Sequence, residues 1–105
     1  WHFLAKNTQG STIGTVRLQR LDEQRGQLRY MAVAENYQGK GIGKQLLKAA
    51  EKQATALGMK SIFLQARDNA VPFYLANGYQ VLEKTFLLYD EIQHYSMEKH
   101  LPHTF

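Results

Sequence analysis

The most informative stretch of the chain is YQGKGIGKQLLKAAEKQA, residues 37–54, in which a glycine-rich loop leads directly into a helical pattern. Glycines occupy positions 39, 41 and 43, although a glycine costs a helix roughly 0.5–1 kcal/mol relative to alanine. Three glycines beside a helix start therefore need a reason, such as a ligand that comes close to the backbone.

The helix is predicted to run from Ile42 to about Leu57 and to end at Gly58, since glycine is common just past a helix C-terminus. Its apolar residues recur at spacings of three and four, as on one face of an amphipathic helix. This face comprises Ile42, Leu46, Leu47, Ala50, Ala54 and Leu57. The opposite, polar face comprises Lys44, Gln45, Lys48, Glu51 and Lys52.

Alternating and β-branched residues predict strands on both sides of this helix. They span residues 2–5, 12–21, 27–34, 61–66, 79–88 and 93–101. A short second helix is predicted over residues 69–78, with Asn69 as its N-cap, Pro72 in its first turn and Gly78 as its stop. The sequence YDEI, residues 89–92, is predicted to turn the chain between the last two strands.

The predicted order is β-β-β-α-β-α-β-β, which indicates an α/β fold with a mixed, mostly antiparallel sheet. A strand, crossover helix and parallel strand should form a right-handed β-α-β unit at its centre. The strand at 27–34 is expected to be central. The nearly continuous apolar character of SIFLQA, residues 61–66, predicts a strand that is buried on both faces.

Composition restricts the class of protein. The 105 residues suit one domain, residues 1–105, with 44% hydrophobic and 21% charged residues, as in globular proteins. The absence of cysteine fits a reducing cytoplasm, and no apolar run reaches the ~18 residues of a membrane span.

The net charge of +4 favours anionic partners. Because the basic residues are scattered, we expect no nucleic-acid partner and no membrane partner. His2, His100 and His103 have no ligand spacing with carboxylates, so no metal is expected.

A strand that ends in a glycine-rich turn before a helix is suited to binding phosphate. The first N–H groups of the helix lack intrahelical partners, and the helix dipole adds positive charge there. The loop does not fit the P-loop pattern, because Gln38 replaces the first glycine and Gln45 replaces the Ser or Thr. It fits the dinucleotide pattern G-x-G-x-x-G poorly, because Lys44 stands where the last glycine belongs. A tight turn without a ligand stays an alternative.

The spacing Gln38-x-x-Gly41-x-Gly43 is similar to the coenzyme A loop [RQ]-x-x-G-x-[GA] of the Gcn5-related N-acetyltransferase (GNAT) family. MAVAENYQGKGIGKQLL resembles that family's strand, loop and helix, and NAVPFYLANGYQV resembles its second conserved block. The closing FLLYDEIQHYSMEK resembles a subgroup of small bacterial members, and the whole likeness covers residues 2–101.

This resemblance implies the acyl-CoA N-acyltransferase fold and acetyl-CoA as cosubstrate. It implies acetyl transfer to a primary amine of a small molecule or peptide, by direct attack in a ternary complex. The backbone around the loop would bind the coenzyme pyrophosphate, at Gln38, Gly39, Lys40, Gly41, Ile42, Gly43 and Lys44. The backbone of Met31, Ala32 and Val33 would hold the pantetheine arm, provided that this strand separates from its neighbour at a bulge.

The second block supplies further site residues by resemblance. Tyr74 matches the family's tyrosine that protonates the departing thiolate, with a core tyrosine as the alternative. Phe73 beside it is expected to border the coenzyme. Asn69 is either a plain N-cap or a pantetheine contact.

The base that accepts the proton of the amine is not evident. Family members often carry a Glu on the strand before the loop, whereas this strand has Gln27 and Arg29, and Glu35 lies beyond it. His94 has a suitable pKa for a base, with a half-exposed strand histidine as the alternative. A chain of water molecules is the other route.

The family pattern also begins with a strand and two helices before the hairpin that starts at His2, about 35–45 residues at ordinary element lengths. They would either precede Trp1 in the working protein or be absent in a natural short form, which leaves the fold N-terminally incomplete. The acceptor cleft would then be open, or a second subunit would close it, as in a homodimer. A non-catalytic acyl-CoA-binding module and a basic nucleic-acid-binding domain are the alternative functions.

Overall fold

A computed structural model of the chain describes residues 1–84 and 93–102. The strands are β1 (His2–Lys6), β2 (Thr12–Arg20), β3 (Arg25–Val33), β4 (Ser61–Arg67), β5 (Gln80–Lys84) and β6 (His94–His100). The helices are α1 (Ile42–Ala56), which follows β3, and α2 (Val71–Ala76), which follows β4. This order confirms the prediction. The end of the predicted strand 79–88 and the turn at 89–92 lie outside the described residues.

The described strands form one sheet in the order β1-β2-β3-β4-β6-β5. The β3–β4 pair is parallel, and the other neighbouring pairs in the described sheet are antiparallel. Helix α1 connects the two parallel strands. The predicted mixed, mostly antiparallel sheet with a central β-α-β unit is thus confirmed.

Helix α1 packs its apolar stripe on one face of the sheet. Leu46, Leu47, Ala50 and Ala54 are its buried residues, and they meet strand residues in the main core. The strand side of this core comprises Val16, Leu18, Leu28, Ile62, Leu64 and Met97. The predicted apolar face is confirmed, and the burial of these side chains is the main source of stability in the domain.

The C-terminus of α1 is closed by backbone hydrogen bonds around Gly58. This glycine has a φ of 82°. Its N–H bonds the Thr55 carbonyl at 3.1 Å, and the Met59 N–H bonds the Ala54 carbonyl at 3.0 Å. These are the two bonds of a Schellman motif. The predicted stop at Gly58 is confirmed, as is the stop at Gly78, where φ is 92°.

Asn69 does not cap α2, so its predicted N-cap role is wrong. It lies in a short 3-10 turn, Asp68–Ala70, and the residue that precedes α2 is Ala70, which makes no side-chain cap hydrogen bond. The extra turn moves the helix start two residues past Asn69. Pro72 does lie in the first turn of α2, as predicted.

The prediction that β4 is buried on both faces is also wrong for its second half. Ile62, Leu64 and Ala66 are buried, whereas Gln65 and Arg67 are exposed. Helix α1 covers the first face, and no described helix covers the other, so alternate residues of β4 reach solvent. No helix among the described residues is long and apolar enough to cross a membrane.

Candidate active site at the gap between two parallel strands

The parallel strands β3 and β4 separate part-way along their length. Their pairing is confined to three residue pairs, which join Arg25–Gln27 to Ser61–Phe63. Beyond this point β3 stays paired to β2 as far as Val33. Strand β4 stays paired to β6 as far as Arg67. A gap therefore opens in the middle of the sheet, with unpaired strand edges on both sides.

A bulge in β3 accompanies this separation. Thr15 faces Ala32 and Arg17 faces Arg29, so β3 has one residue more than β2 between these two pairs. Bulges bend a strand and increase its twist. The bulge that the pantetheine prediction requires is thus confirmed, and it lies between Arg29 and Ala32, at the start of the segment Met31–Val33.

Gln38 closes the end of the β3 edge. Its side-chain Nε2 donates a hydrogen bond to the Val33 carbonyl at 3.0 Å. The neighbouring Ala34 N–H bonds Ile13 on β2 at 2.8 Å. Since successive residues of a strand point their backbone groups to opposite sides, the Val33 carbonyl faces the gap.

The glycine loop borders the same gap at the start of α1. Gly39 and Gly41 have φ angles of 79° and 82°, which side chains rarely tolerate. A Cβ atom at either position would have no heavy atom within 4 Å. Gly41 is the N-cap of α1, and glycine has no side chain that could cap the helix amides. The first amides of the helix are thus beside open space.

Gly43 has a different structural reason. A Cβ atom there would lie 3.3 Å from the Phe73 Cζ atom, so α2 packs directly on the backbone of α1. The Phe73 ring meets the Tyr74 ring edge to face, with centroids 5.1 Å apart. Gly43 thereby allows the helix start to support the pair of aromatic rings that borders the gap.

Tyr74 forms part of the inner wall of the gap. The residue is 8% exposed, and its hydroxyl donates to the Met31 sulfur at 3.4 Å. Burial raises the pKa of the Tyr74 phenol above its ordinary value, because desolvation disfavours the phenolate. The hydroxyl therefore keeps its proton at neutral pH.

Two cavities of about 630 Å³ and 690 Å³ meet at the gap. Each is within the ~300–1,000 Å³ range of small-molecule sites. One extends towards the glycine loop and α2, and the other extends towards β4 and His94. Their shared lining residues are Met31, Ala32, Val33, Gln38, Asn69, Ala70 and Tyr74. One ligand can thus enter from each side and meet the other beside Tyr74.

Comparison with known proteins identifies the family to which this chain belongs. The family model of the Acetyltransferase (GNAT) domain matches residues 1–81.

The chain belongs to the GNAT acetyltransferase family.

Individual relatives agree with this assignment. The uncharacterized N-acetyltransferase YjcF of Bacillus subtilis is 35% identical over 80 residues, which are 76% of this chain and 57% of YjcF. A crystal structure of an N-acetyltransferase from Lactobacillus plantarum has a TM-score of 0.80 and 30% identity, covering 87% of this chain and 62% of that one. The chain thus spans less than two thirds of the length of either relative.

The GNAT fold is shared more widely than the sequence. An acetyltransferase from Bacillus cereus has a TM-score of 0.88 at 24% identity, covering 96% of this chain and 72% of that one. At this level of identity, the match to the Bacillus cereus structure shows the fold alone. The architecture is the acyl-CoA N-acyltransferase fold, as predicted. The family acts on small-molecule or peptide amine acceptors in general.

The structure brings most of the predicted GNAT site residues to the two cavities. The cavity beside the glycine loop is lined by Met31, Ala32, Val33, Gln38, Gly39, Gly41, Ile42, Gly43, Lys44, Asn69, Phe73 and Tyr74. Lys40 is not among the lining residues, and its ammonium lies 5.4 Å from the centroid of the Tyr37 ring. The predicted coenzyme-binding roles of these residues stay predictions.

The candidates for a base differ in their positions. His94 is half-buried and lines the second cavity. Glu35 is exposed and lines neither cavity. Gln27 is buried, and its Oε1 accepts a hydrogen bond from Gln19 Nε2 at 3.2 Å. In the described part of the chain no group of three or more His, Cys, Asp or Glu side chains could hold a metal ion.

Sequence reasoning missed Tyr37, Asn77 and Arg67 as site residues. Tyr37 and Asn77 line the cavity beside the loop, and a hydrogen bond holds each side chain in place. Asn7 Nδ2 donates to the Tyr37 hydroxyl at 3.2 Å. Asn77 Nδ2 donates to the Phe73 carbonyl at 2.8 Å. Arg67 lines the second cavity. Arg67 comes at the end of a strand, two residues before the predicted site residue Asn69, and this position could have indicated that it lies at the site.

Proposed function

We propose that residues 1–105 form one acetyltransferase domain that moves an acetyl group from acetyl-CoA to a primary amine of a small molecule or peptide. The separation of β3 from β4, beside a glycine-rich helix start and Tyr74, carries the proposal. The absence of cysteine supports a reducing, cytoplasmic setting for it.

The coenzyme would occupy the cavity beside the glycine loop. The unpaired amides at the start of α1 and the positive end of its dipole are suited to the pyrophosphate. Lys44, in the wall of this cavity, adds a positive charge. The pantetheine arm would lie along Met31–Val33, whose free edge offers backbone hydrogen bonds in the way that a neighbouring strand would.

The chemical step would be a direct attack on the thioester. The amine nitrogen forms a bond to the carbonyl carbon while backbone N–H groups of the β3 edge stabilise the oxyanion. The carbon–sulfur bond then breaks, and the Tyr74 hydroxyl gives its proton to the sulfur, which leaves as the coenzyme A thiol. The raised pKa of Tyr74 ensures that it begins each cycle protonated.

The amine must lose a proton before or during its attack. Among the described residues His94 is the titratable side chain of the second cavity that could accept this proton. A chain of water molecules from the solvent would serve as well.

A non-catalytic acyl-CoA-binding module is the second candidate. It is favoured by one observation, the absence of a carboxylate from the described lining of both cavities. The two candidates share the coenzyme site and differ in turnover. A panel of primary amines assayed for thiol release from acetyl-CoA separates them, since the binding module releases no thiol above the uncatalysed rate.

The coenzyme site itself is tested by calorimetric titration with desulfo-CoA, which cannot transfer an acyl group. We expect saturable binding with one molecule per chain. Failure of desulfo-CoA to bind would contradict both candidates.

Replacement of Tyr74 by Phe tests the acid. We expect kcat to fall by about 10²-fold, since a positioned general acid contributes ~10²–10⁴-fold, with little change in the Kd of desulfo-CoA. The matched control is Tyr95→Phe, which removes a phenol hydroxyl from a half-buried position on β6. An unchanged kcat in Tyr74→Phe would rule out the acid role.

A further inference from the structure

Two arginines stand on opposite sides of the gap, at the cavity that lies away from the glycine loop. Arg29 belongs to β3 and Arg67 ends β4, so each comes from one of the two strands that separate. Both residues line this cavity and both are exposed. The cavity therefore has an arginine on each wall.

Neither guanidinium is neutralised within the described chain. Within the described residues, the side chains of Arg29 and Arg67 have no hydrogen bond or ion pair. Arg25, in contrast, pairs with Asp22 at 2.8 Å. The guanidinium of Arg20 donates to the Leu57 carbonyl at 3.2 Å. Two other arginines of the described chain thus have partners, whereas the two at the cavity have none.

The carboxylates nearby do not compensate. No Asp or Glu is among the described lining residues of this cavity. Asp68 follows Arg67 in the chain without forming an ion pair with it. Glu98 is 3.2 Å from the His100 imidazole.

Sheet register adds an independent observation. Arg17 on β2 lies directly opposite Arg29 on β3, and like charges in directly opposed positions destabilise a sheet. A third guanidinium therefore stands next to the first. An anion bound at this face would relieve the repulsion.

We infer that the amine acceptor of this site also carries a carboxylate or a phosphate, which Arg29 and Arg67 bind while the amine points to the gap. This inference rests on the proposed acetyltransferase function and names its substrate class. A guanidinium presents its N–H donors in a planar fork that fits either anion. The same charges disfavour polycationic acceptors such as polyamines.

The arginines also help to deprotonate the amine. Nearby positive charge disfavours an ammonium group and so lowers its pKa. Neutral amine, the nucleophile, is then more abundant beside the thioester. This effect suits a cavity whose described lining has no carboxylate base.

The test uses matched pairs of acceptors with the protein at its natural length. The acceptors are a set of amino acids, each compared with its amide, and O-phosphoethanolamine, compared with ethanolamine. Spermidine represents the polycationic acceptors. Thiol release gives kcat and KM for each acceptor. Calorimetry in the presence of desulfo-CoA gives binding without turnover. The amino-acid and phosphoethanolamine arms distinguish carboxylate from phosphate.

We expect kcat/KM for the best anionic acceptor to exceed that of its uncharged partner by about 10- to 100-fold, the value of a charge-assisted hydrogen bond. Arg29→Gln and Arg67→Gln should each remove most of this preference by raising KM, with a smaller effect on kcat. Both positions are exposed, so the variants should fold, and circular dichroism verifies this.

Lys48→Gln is the matched control, because it removes one positive charge from the exposed face of α1 and should leave the preference unchanged. Equal or better use of the uncharged partners or of spermidine would overturn the inference while the acetyltransferase proposal stands. If no amine is acetylated, the proposed function fails. The binding measurements then test the anion site by itself. Preferential binding of the anionic member of each pair supports an anion site at Arg29 and Arg67, and its absence overturns that site.

Discussion

The glycines of the loop show how one residue type serves two purposes a few positions apart. Gly39 and Gly41 are needed for their φ angles near 80°, and the space above them is empty. Gly43 is needed because the Phe73 ring lies against its backbone. A change at Gly43 should therefore act on the aromatic wall of the cavity, whereas a change at Gly41 should act on the loop itself.

Replacing Gly43 with Val should push Phe73 away from α1. We expect a loss of about 1–3 kcal/mol in the free energy of unfolding, the usual cost of overpacking, together with a lower kcat because Tyr74 moves with its neighbour. Urea denaturation measures the first effect, and thiol release measures the second.

The matched control is Ala49→Val, on the exposed face of the same helix. It carries the propensity cost of Val, less than about 1 kcal/mol, without the contact. Equal loss of stability in the two variants, with kcat unchanged in Gly43→Val, would contradict the proposed contact.

Helix α1 is joined to the far strands by a polar cluster, which we define as Glu51, Tyr79 and Lys99. Tyr79 donates its hydroxyl proton to Glu51 Oε2 at 2.9 Å. Lys99 Nζ lies 3.0 Å from Glu51 Oε1. Burial, reinforced by the Glu51 charge, raises the pKa of Tyr79 well above its ordinary value. The Tyr79 ring also meets the Tyr74 ring edge to face, 5.7 Å between centroids.

Sequence pattern alone assigned Glu51 to the solvent-exposed face of α1, and this expectation is only partly right. The Glu51 side chain is 14% exposed and that of Lys99 is 26% exposed. The cluster thus connects helix α1 to strand β6. Because the Tyr79 ring contacts the Tyr74 ring, the cluster also supports the position of Tyr74.

A double-mutant cycle with Glu51→Gln and Lys99→Met should give a coupling energy of about 1–3 kcal/mol. The reason is that removal of one partner leaves a poorly hydrated charge. Urea denaturation of the four proteins measures it.

The comparison pair is Asp22 and Arg25, with side chains 46% and 53% exposed. We expect coupling below about 1 kcal/mol there, as for surface ion pairs. Similar values for the two pairs would mean that the cluster adds nothing beyond surface electrostatics.

For the whole molecule, the gap divides the sheet into two halves joined by three β3–β4 residue pairs. The halves are β1-β2-β3 and β4-β6-β5. A coenzyme that binds the edge of β3 and contacts Asn69 and Tyr74 would join both halves. Ligand binding should therefore stabilise the fold more than a contact at the loop alone would.

Desulfo-CoA at a hundred times its Kd should raise the free energy of unfolding by about 2.7 kcal/mol. It should also slow amide hydrogen exchange in residues 28–33, along the open edge of β3. Thermal denaturation and exchange measured by mass spectrometry test these two effects.

Adenosine 3′,5′-bisphosphate, which lacks the pantetheine arm, is the control. It should leave exchange in residues 28–33 unchanged. Equal protection of this segment by both ligands would show that the arm does not lie along β3.

Local sequence patterns were sufficient for the parts of the fold that depend on neighbours in the chain. The three-and-four spacing from Ile42 and the glycine at position 58 defined α1, because helix periodicity and capping act within one or two turns. The glycine loop marked the site for the same reason. The order of strands and helices then left few topologies that avoid crossed connections.

Tertiary structure decided what depends on residues distant in the chain. The ion pair of Glu51 with Lys99, the contact of Gly43 with Phe73 and the placement of Arg29 and Arg67 at one cavity each need two elements to come together. The 3-10 turn that displaces Asn69 from the cap follows β4 directly, and the local pattern of the sequence did not indicate it. Periodicity reports which face of an element is apolar, and it has no information on which distant side chain will stand opposite.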